Sequence, residues 1–487
     1  MELNWIAILG ALSYLISIAA LLIVPGNRKP GEATAWLLLM FLAPILGLVL
    51  FLLLGNPHLS KGRQDQQRAM NERIKGLAED TQQTPGLQAI FNPPLSERYE
   101  PLASLIASLS GMPALAGNTV EILTDYAGAI ECIVKDIDAA QRYVHLEYFM
   151  FANDTMGAPV VDALIRAEKR GVTCRVLMDH LGNLLFNGPV LRRLRAAGIA
   201  VHVMLPINPF DNQWNRFDLR NHRKIVVVDG RTGYTGSHNL IENTYHKISN
   251  VRKGMHYIEL VARVTGPIVL ELNAVFTTDW FSETNELIDA RTAPETRGLA
   301  PVTGDVLCQV LPSGPGFQTD NNLMLFVALF HTARTRIIIA NPYVVPDESL
   351  VLALTAAAQR GVEVILIVSE IGDQFLVFHA QRSYYEELLR SGVRIYLYRP
   401  PVLLHSKYMC IDDDIAVIGS SNLDIRSFQL NLEITLVCYD PQVVSDLQEV
   451  TADYLGNTRP LPLAEWQARP IWIKFLDNVA RLTSALQ

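Results

Sequence analysis

The chain has 487 residues, nearly half of them hydrophobic, which is enough for two ordinary domain cores with apolar sequence left over. Its formal net charge of −8 argues against a protein that follows nucleic-acid phosphates, since that binding needs a surplus of lysine and arginine. The five cysteines are odd in number and form no CxxC pair, which favours a reducing compartment over a disulfide scaffold.

The surplus apolar sequence lies at the N-terminus. Residues 5–24 carry no charge, and a helix of that length spans the roughly 30 Å hydrocarbon core of a bilayer. A second uncharged run, residues 33–54, follows the connection PGNRKPGE. We therefore predict a transmembrane helical hairpin over residues 1–57, although Pro44 and Gly47 in the second run leave a re-entrant hairpin open. A signal peptide is disfavoured because the chain opens with Glu2 and continues into another apolar run.

Basic residues predict the orientation of this hairpin. Arginine and lysine are more numerous after the second run than in the connection, which places the rest of the chain on the cytoplasmic side. The polar, glutamine-rich residues 58–90 are predicted as a juxtamembrane helix or linker. The basic residues compared are Arg28 and Lys29 in the connection and Lys61, Arg63, Arg68, Arg73 and Lys75 after the second run.

Internal repeats divide the remaining chain into two similar halves. RYVHLEYFMF from position 142 is echoed by RIIIANPYVV from 336, and KRGVTCRVLMD from 169 by QRGVEVILIVS from 359. Helical stretches alternate with short runs rich in valine, isoleucine and leucine, a pattern typical of α/β units around a buried sheet. We predict two α/β lobes, at 91–295 and 296–487, that pair about a pseudo-twofold axis.

The strongest repeat carries the chemistry. In HRKIVVVDG the β-branched run predicts a strand, so His222 and Lys224, two residues apart, face the same side, and Asp229 ends the strand at a turn. The segment HSKYMCID repeats the pattern, and each copy is followed by Gly-Ser-x-Asn, whose small residues let the backbone approach an anion. The further residues so identified are His405, Lys407, Asp412, Ser237, Asn239, Ser420 and Asn422.

Two imidazoles suit a two-step displacement at a phosphodiester. One attacks phosphorus and the other protonates the leaving alkoxide, while lysine supplies positive charge for the phosphate oxygens. A zinc site is disfavoured because lysine beside the ligands would repel the ion and no His/Cys cluster has ligand spacing. The residues therefore predict phosphodiester chemistry at one site shared by both lobes.

Other polar residues in this region are open to two interpretations. Glu147 and Glu433 lie in apolar strands, where they could orient the motif histidines or form structural salt bridges. Arg426 and Asn431 could line an acceptor site or be solvated loop positions. His238, which stands where the second copy has a serine, is interpreted as a loop residue. The C-terminal segment WQARPIWIKFLDNVARLTSALQ is amphipathic and could lie on a bilayer or pack as an ordinary helix.

These motifs resemble those of the phospholipase D superfamily. LRNHRKIVVVDG, LPSGPG and SSNLDIRSFQLNLEI further resemble bacterial cardiolipin synthases, over essentially the whole chain. The resemblance implies phosphatidyl transfer without metal or cofactor, with His222 as nucleophile and His405 as general acid and later base. Lys224, Lys407, Asn239 and Asn422 would hold the phosphate, beside Ser237 and Ser420, and Asp229 and Asp412 would orient or support the motifs.

The implied partners are phosphatidylglycerol and the lipid bilayer, at the cytoplasmic (inner) membrane of a bacterium. The oligomeric state is left open. A phospholipase D, or a transferase with another acceptor, fits the same residues, because acceptor choice depends on pocket shape and water exclusion. A nuclease does not fit the acidic charge or the hairpin, and a catalytically inert membrane scaffold does not fit two complete motifs.

Overall fold

The computed structural model describes residues 5–26, 28–84, 86–184, 187–207, 216–288, 293–296, 298 and 300–484. Six helices precede the first strand. Their bounds are α1 Trp5–Ile23, α2 Pro30–Leu42, α3 Pro44–Leu54, α4 Lys61–Gln82, α5 Gln88–Phe91 and α6 Glu100–Ser110.

The first lobe alternates strands and helices as its sequence predicts. The strands are β1 Leu115–Leu123, β2 Tyr143–Tyr148, β3 Thr173–Asp179, β4 Ala200–Met204, β5 Arg220–Asn221, β6 Lys224–Val228, β7 Thr232–Gly236, β8 His256–Ile258 and β9 Val261–Thr265. The helices are α7 Tyr126–Ala139, α8 Gly157–Lys169, α9 Asn187–Ala196, α10 Ile248–Lys253 and α11 Val269–Thr284, with a 3₁₀ turn at Pro294–Thr296.

The second lobe repeats this order. Its strands are β10 Val306–Ser313, β11 Arg336–Ala340, β12 Val344–Val345, β13 Glu363–Ser369, β14 Arg394–Tyr398, β15 Val402–Leu404, β16 Tyr408–Ile411, β17 Ile415–Gly419, β18 Leu423–Asp424, β19 Asn431–Tyr439 and β20 Thr458–Pro460. Its helices are α12 Asn321–Thr332, α13 Glu348–Gln359, α14 Phe375–Arg390, α15 Ile425–Gln429, α16 Pro441–Gly456, α17 Leu463–Gln467 and α18 Ile471–Arg481.

One continuous sheet runs through both lobes. Its order is β20-β14-β13-β11-β16-β17-β19-β10-β1-β9-β7-β6-β2-β3-β4. Outward from the central β1–β10 pair each half has the same seven-strand pattern, and the second half adds β20 at its edge. That pair is antiparallel, with Leu115 opposite Cys308. In each half a parallel trio, β2-β3-β4 or β11-β13-β14, continues into antiparallel strands. The duplication and the pseudo-twofold pairing predicted from sequence are thus present in the sheet.

Two short ribbons tie the lobes together beside the central strands. β5 of the first lobe pairs in parallel with β19 of the second, Asn431 lying opposite Arg220. β15 of the second lobe pairs in parallel with β8 of the first, Val402 lying opposite His256. Each ribbon leads directly into one of the two His-x-Lys motifs, so each motif is positioned by backbone of the opposite lobe.

The N-terminal helices differ from the predicted pair. The second apolar run is not one helix: α2 ends at Leu42 and α3 begins at Pro44, because proline lacks the N–H that a continuing helix needs. α3 folds back on α2 so closely that a Cβ at Gly47 would lie 2.9 Å from the Met40 Cα. In the described part of the chain, no helix is both long enough and apolar enough to cross a membrane.

Two segments outside the repeated cores pack firmly on them. The residues predicted as a polar linker form α4, which lies along α11, and Arg63 of α4 makes a bidentate ion pair with Glu283 at the end of α11. α6, within the range expected for the first lobe, buries Leu102 and Ile106 in the core of the second lobe. Part of the chain expected to belong to the first lobe therefore completes the second.

Candidate functional site

The first motif histidine is held by the second lobe. His222 lies between β5 and β6, and its backbone N–H donates to the Leu432 carbonyl at 2.8 Å. Its ring Nδ1 is 3.0 Å from each carboxylate oxygen of Glu433, a fully buried residue of β19. The structure thus brings together two residues that the sequence analysis singled out, with Glu433 in one of the two roles considered for it.

The second motif histidine is held by the first lobe in the same manner. The His405 backbone N–H donates to the Ile258 carbonyl at 2.9 Å, and Nδ1 lies 2.7 Å from Glu259 Oε1. Glu259 was missed from sequence. A sequence signal could have identified it: YIELVARV in the first half resembles NLEITLVC in the second, and this match aligns Glu259 with Glu433. Glu259 lies just before β9, and Glu433 lies in the corresponding strand β19. The two pairs cross the lobe boundary in opposite directions.

Both motif lysines lie beside their histidines, as the strand periodicity predicts. Lys224 Nζ donates to the His222 carbonyl at 2.7 Å, and Lys407 Nζ donates to the His405 carbonyl at 2.8 Å. An ammonium has three N–H donors, so each lysine keeps donors for an anion after this contact. Both side chains are buried, which strengthens their attraction for a phosphate.

Burial sets the protonation of the site. It lowers the pKa of His222 to about 4, against the opposing effect of Glu433, and it lowers the pKa of His405. Burial alone would raise the pKa of Glu259, but His405 outweighs this and lowers it to about 2, and the pKa of Glu433 is lowered in the same way by His222. An ionised carboxylate accepts from Nδ1–H, so the lone pair of each neutral ring is on Nε2, the form that attacks phosphorus.

The two lysine side chains lose their proton more readily in this site than in water. Burial lowers the pKa of Lys224 to about 7 and that of Lys407 to about 8, in both cases opposed by the two buried glutamates. Each lysine interacts electrostatically with both glutamates, Lys224 more strongly with Glu433 and Lys407 more strongly with Glu259. Two ammoniums and two carboxylates therefore balance inside one site, and an arriving phosphate restores positive charge to the lysines.

The predicted Gly-Ser-x-Asn turns lie beside the histidine pairs and are buried. The Ser420 hydroxyl donates to Glu433 and accepts from the Ile434 N–H at 3.0 Å, so it fixes the carboxylate that orients His222. Ser237 makes the matching contact with the Leu260 N–H at 2.9 Å but does not reach a glutamate. The serines support the histidine–glutamate pairs through these bonds.

The two asparagines of these turns have different contacts. Asn239 accepts from the Met150 N–H at 3.2 Å and donates to the Tyr245 hydroxyl at 3.1 Å. The side-chain oxygen of Asn422 is buried and, among the described residues, has no hydrogen-bond partner. An unpaired buried amide oxygen is costly, so Asn422 has hydrogen-bonding capacity for a bound ligand.

Asp229 and Asp412 lie at the strand ends, away from the histidine–glutamate pairs. Each ends its strand five residues beyond the motif lysine, roughly 16 Å away at about 3.3 Å per residue. Each carboxylate instead accepts three successive backbone N–H groups that lead into β2 or β11, at 2.7–3.1 Å. These contacts support the motif structurally, and a catalytic role of the two aspartates stays a prediction. The donors are residues 141–143 for Asp229 and 334–336 for Asp412.

Glu147 does not orient a motif histidine either. It is fully buried on β2 and accepts a hydrogen bond from Asn221 Nδ2 at 2.5 Å, beside the buried ion pair of Arg223 and Asp279. Burial raises the pKa of Glu147 well above its ordinary value, and the Asp279 charge adds to this. A neutral carboxyl group that packs behind the motif fits these contacts, and a substrate-binding role of Glu147 stays a prediction.

Three lesser candidates have plain structural contacts. Asn431 is buried and directs its amide toward Glu433 at 3.4 Å, and Arg426 donates to the Asp218 carbonyl. His238 lies in the loop after β7 and is buried: its Nε2 lies 3.2 Å from the Tyr126 carbonyl and its ring is 4.0 Å from the Tyr126 ring. Of the three, Asn431 is part of the site's hydrogen-bond network.

Two histidines on facing motifs, each oriented by a carboxylate of the opposite lobe, define the class of phospholipase D-like proteins. The family model described as "Cardiolipin synthase, PLD-like domain" matches residues 133–280 and 326–454. A second model, "Phospholipase_D-nuclease N-terminal", matches residues 15–56.

Relatives that align with nearly the whole chain are also named cardiolipin synthases. Cardiolipin synthase A of Serratia proteamaculans is 34% identical over 99% of this chain and 98% of that protein. The protein of that name from Proteus mirabilis is 33% identical over 94% of both chains. The crystal structure of phosphatidylserine synthase from Haemophilus influenzae matches 81% of this chain and all of that one, with a TM-score of 0.59 at 16% identity, which is a likeness of fold. The chain belongs to the cardiolipin synthase family.

Proposed function

We propose that the chain is a cardiolipin synthase, a phosphatidyltransferase that joins two phosphatidylglycerol molecules and releases glycerol. The observation that carries the proposal is the reciprocal arrangement of the two motifs, which puts two imidazoles and two lysine side chains in one buried site. Sequence identity of 33–34% to proteins named cardiolipin synthase A, over 94–99% of this chain, supports cardiolipin as the product.

In the first half-reaction His222 is the nucleophile. Its Nε2 attacks phosphorus, with Nδ1–H held by Glu433, and the P–O bond to the glycerol headgroup breaks. For this step His405 carries a proton on Nε2 as an imidazolium paired with Glu259. It gives that proton to the glycerol oxygen, so glycerol leaves as a neutral alcohol, His405 becomes neutral and a phosphatidyl-histidine remains. Lys224 and Lys407 balance the charge on the phosphate oxygens, and Asn239 and Asn422 supply further hydrogen bonds.

In the second half-reaction the roles of His405 reverse. It accepts the proton of a headgroup hydroxyl of a second phosphatidylglycerol, whose oxygen attacks phosphorus as the P–N bond to His222 breaks. The products are cardiolipin and free His222. The free energies of the two phosphodiesters are similar, so the overall transfer is reversible.

The N-terminal helices are proposed as a multi-pass anchor in the cytoplasmic membrane of a bacterium, with both lobes on the cytoplasmic side. Many leucine and isoleucine side chains of α1–α3 point outward, among them Leu22 and Leu42, and the match to the N-terminal family model covers this region. The basic residues that follow α3 support the orientation.

The test is mass spectrometry of lipids and released headgroup after the purified full chain meets phosphatidylglycerol vesicles. We expect cardiolipin and glycerol in equal amounts, and neither product from His222→Ala or His405→Ala. Phosphatidic acid without cardiolipin would instead assign a phospholipase D, because water would then be the acceptor. Histidine-independent product would contradict the assignment of the site.

A further inference from the structure

The C-terminal helix α18 packs on α14 with its polar side. Asp477 is fully buried and accepts hydrogen bonds from His379 at 2.7 Å and Arg469 at 2.5 Å, while Arg382 lies 3.6 Å away. A buried carboxylate with three cationic or ionisable partners holds its position strongly, since removing those contacts would leave a charge unpaired. These contacts fix the rotation of α18 about its axis.

The opposite side of α18 is apolar and faces outward. A helix on a globular surface ordinarily buries its apolar stripe and exposes its polar one, and α18 does the reverse. Its first two turns expose an aromatic cluster that would be costly in water alone. The exposed fractions are 84% for Ile471, 65% for Trp472, 68% for Phe475, 42% for Val479 and 84% for Leu482.

The apolar side of α18 continues onto α14. Asp477 contacts His379, and one turn later the Arg481 guanidinium lies 4.2 Å from the centre of the Tyr384 ring. The two helices therefore run in the same direction, and their first turns lie at the same end. At that end Phe375, the first residue of α14, is 64% exposed.

This end of α14 adjoins the His405 side of the site. Asp373, two residues before Phe375, accepts hydrogen bonds from the Tyr257 and Tyr343 hydroxyls, each at 2.7 Å. The rings of these tyrosines lie 5.4 and 6.2 Å from the His405 ring. Asp373 therefore links the catalytic histidine to the first turn of α14.

α10 adds exposed apolar side chains on the facing lobe. Lys247, immediately before α10, forms an ion pair with Asp373. The next residue, Ile248, and Val251 are exposed. Apolar side chains of three helices thus lie around one edge of the site, connected to it through Asp373.

We propose that α18, together with the first turns of α10 and α14, docks onto the lipid bilayer at a surface separate from α1–α3. We define this docking surface as Ile248, Val251, Phe375, Ile471, Trp472 and Phe475. The inverted packing of α18 supports a bilayer as its occupant, since Trp and Phe beside a polar anchor suit the lipid interface. The proposal rests on the proposed function in that both substrates are bilayer lipids, which reach His405 without leaving the interface.

The first experiment does not depend on turnover. Full-length protein is added to phosphatidylglycerol vesicles with or without brominated acyl chains, and the fluorescence of Trp472 is taken as the difference between wild type and Trp472→Phe. We expect the Trp472 emission to shift to shorter wavelength and to be quenched by bromine. If neither vesicles nor bromine changes the Trp472 emission, the proposed docking surface is wrong, whatever reaction the protein is found to catalyse.

The second experiment uses Ile471→Ser/Phe475→Ser, which keeps Trp472 as a probe. We expect cardiolipin formation on vesicles to fall about tenfold or more, since two apolar anchors are lost from the interface. Turnover of short-chain phosphatidylglycerol below its micelle concentration should stay within about twofold of wild type, because the site itself is unchanged. Val302→Ser, at an apolar residue 57% exposed beside β1, is the matched control.

Either of two results would contradict the proposal: full activity of the double variant on vesicles, or equal loss on vesicles and on short-chain lipid. The second would show that α18 supports the site rather than the membrane contact. If wild-type protein makes no cardiolipin in either assay, the proposed function fails, while the fluorescence of Trp472 still decides the docking surface.

Discussion

The two halves of the site share their inner contacts and differ in what surrounds them. Around His222 the contact is symmetrical: Nδ1 is 3.0 Å from both oxygens of Glu433, which Ser420 also binds, and the nearby ring is Phe149, at 5.0 Å. Phenylalanine offers no hydrogen bond. The His222 side thus has one firmly held carboxylate and an apolar ring beside the imidazole.

Around His405 the contact is one-sided and the neighbours are polar aromatics. Nδ1 reaches a single oxygen of Glu259, and the same oxygen accepts from the Tyr245 hydroxyl. Among the described residues, the other oxygen of Glu259 has no partner. Two further tyrosines, Tyr257 and Tyr343, also contact the His405 ring.

The difference shows what duplication conserves and what it leaves free. Ring, carboxylate and lysine recur in both halves because each is needed for the displacement, whereas the surrounding side chains can adapt each imidazole to one task. A firmly oriented ring suits a nucleophile. A ring among hydroxyls suits the exchange of protons with an alcohol, and the following predictions test this division.

Replacing either histidine should have the largest effect. We expect His222→Ala and His405→Ala each to lower cardiolipin formation at least about 10³-fold, because nucleophile and acid act in the same displacement. Intact-protein mass spectrometry then distinguishes the roles of the two histidines. A phosphatidyl adduct should be detectable on His222 in the His405→Ala protein. An adduct on His405 in the His222→Ala protein would reverse the assignment.

Glutamine in place of either orienting glutamate should cost about 10²-fold, since a neutral amide no longer stabilises the correct tautomer. Single-turnover kinetics can separate the halves. Glu433→Gln should slow formation of the phosphatidyl-histidine, and Glu259→Gln should slow its transfer to the acceptor. Ser420→Ala, which removes one hydroxyl donor to Glu433, is a milder control. Identical effects of both glutamine variants on both steps would show that the two halves are not specialised.

The pH profile should report the lysines. Burial lowers the pKa of Lys224 to about 7 and of Lys407 to about 8, so both lose charge as pH rises, whereas His222 with a pKa of about 4 is already neutral. We expect kcat/KM for phosphatidylglycerol to fall between about pH 7 and pH 9. Lys224→Arg should be slower but should move this limb upward, because arginine stays protonated. A profile flat to about pH 9 would contradict the lysine role.

The smallest effect on catalysis is expected at the strand-end aspartates. Backbone N–H groups and Arg98 outweigh burial and lower the pKa of Asp412 from 3.8 to about 2, so its stabilisation is present at neutral pH and is lost as pH falls from about 4 to about 2. Asp412→Asn should cost about 2 kcal/mol of unfolding free energy in denaturant melts, with the activity of folded protein nearly unchanged. Asp413→Asn, at a neighbouring exposed carboxylate, should cost under about 0.5 kcal/mol. If Asp412→Asn lost turnover while keeping full stability, Asp412 would be a catalytic residue.

The sequence predicted the features that depend on local pattern. The repeats predicted two matching lobes, the strand period predicted that His222 and Lys224 face the same way, and the paired motifs predicted a shared site. Glu433 was found because a carboxylate in an apolar strand is conspicuous. Glu259 lies in an equally apolar segment, and comparison of the two copies beyond the motifs would have found it.

Other features depend on three-dimensional contacts that the pattern does not contain. Asp229 sits within the motif by sequence but at the far end of an extended strand, because a strand carries its two ends apart. α6 lies in the range expected for the first lobe but packs on the second, since the core it completes is formed by residues far away in sequence. Glu147 and Glu433 both lie in apolar strands and look alike in sequence. Only the contacts between the two lobes determine that Glu433, and not Glu147, binds a motif histidine.

That crossing has a consequence for how the protein behaves on dilution. Each histidine takes its backbone partner and its carboxylate from the other lobe, so a lobe alone has no complete site. Because one chain carries both, their encounter is intramolecular, at an effective concentration set by the connection rather than by the number of copies in a cell. The specific activity of each molecule is therefore expected to be the same when the protein is scarce as when it is abundant.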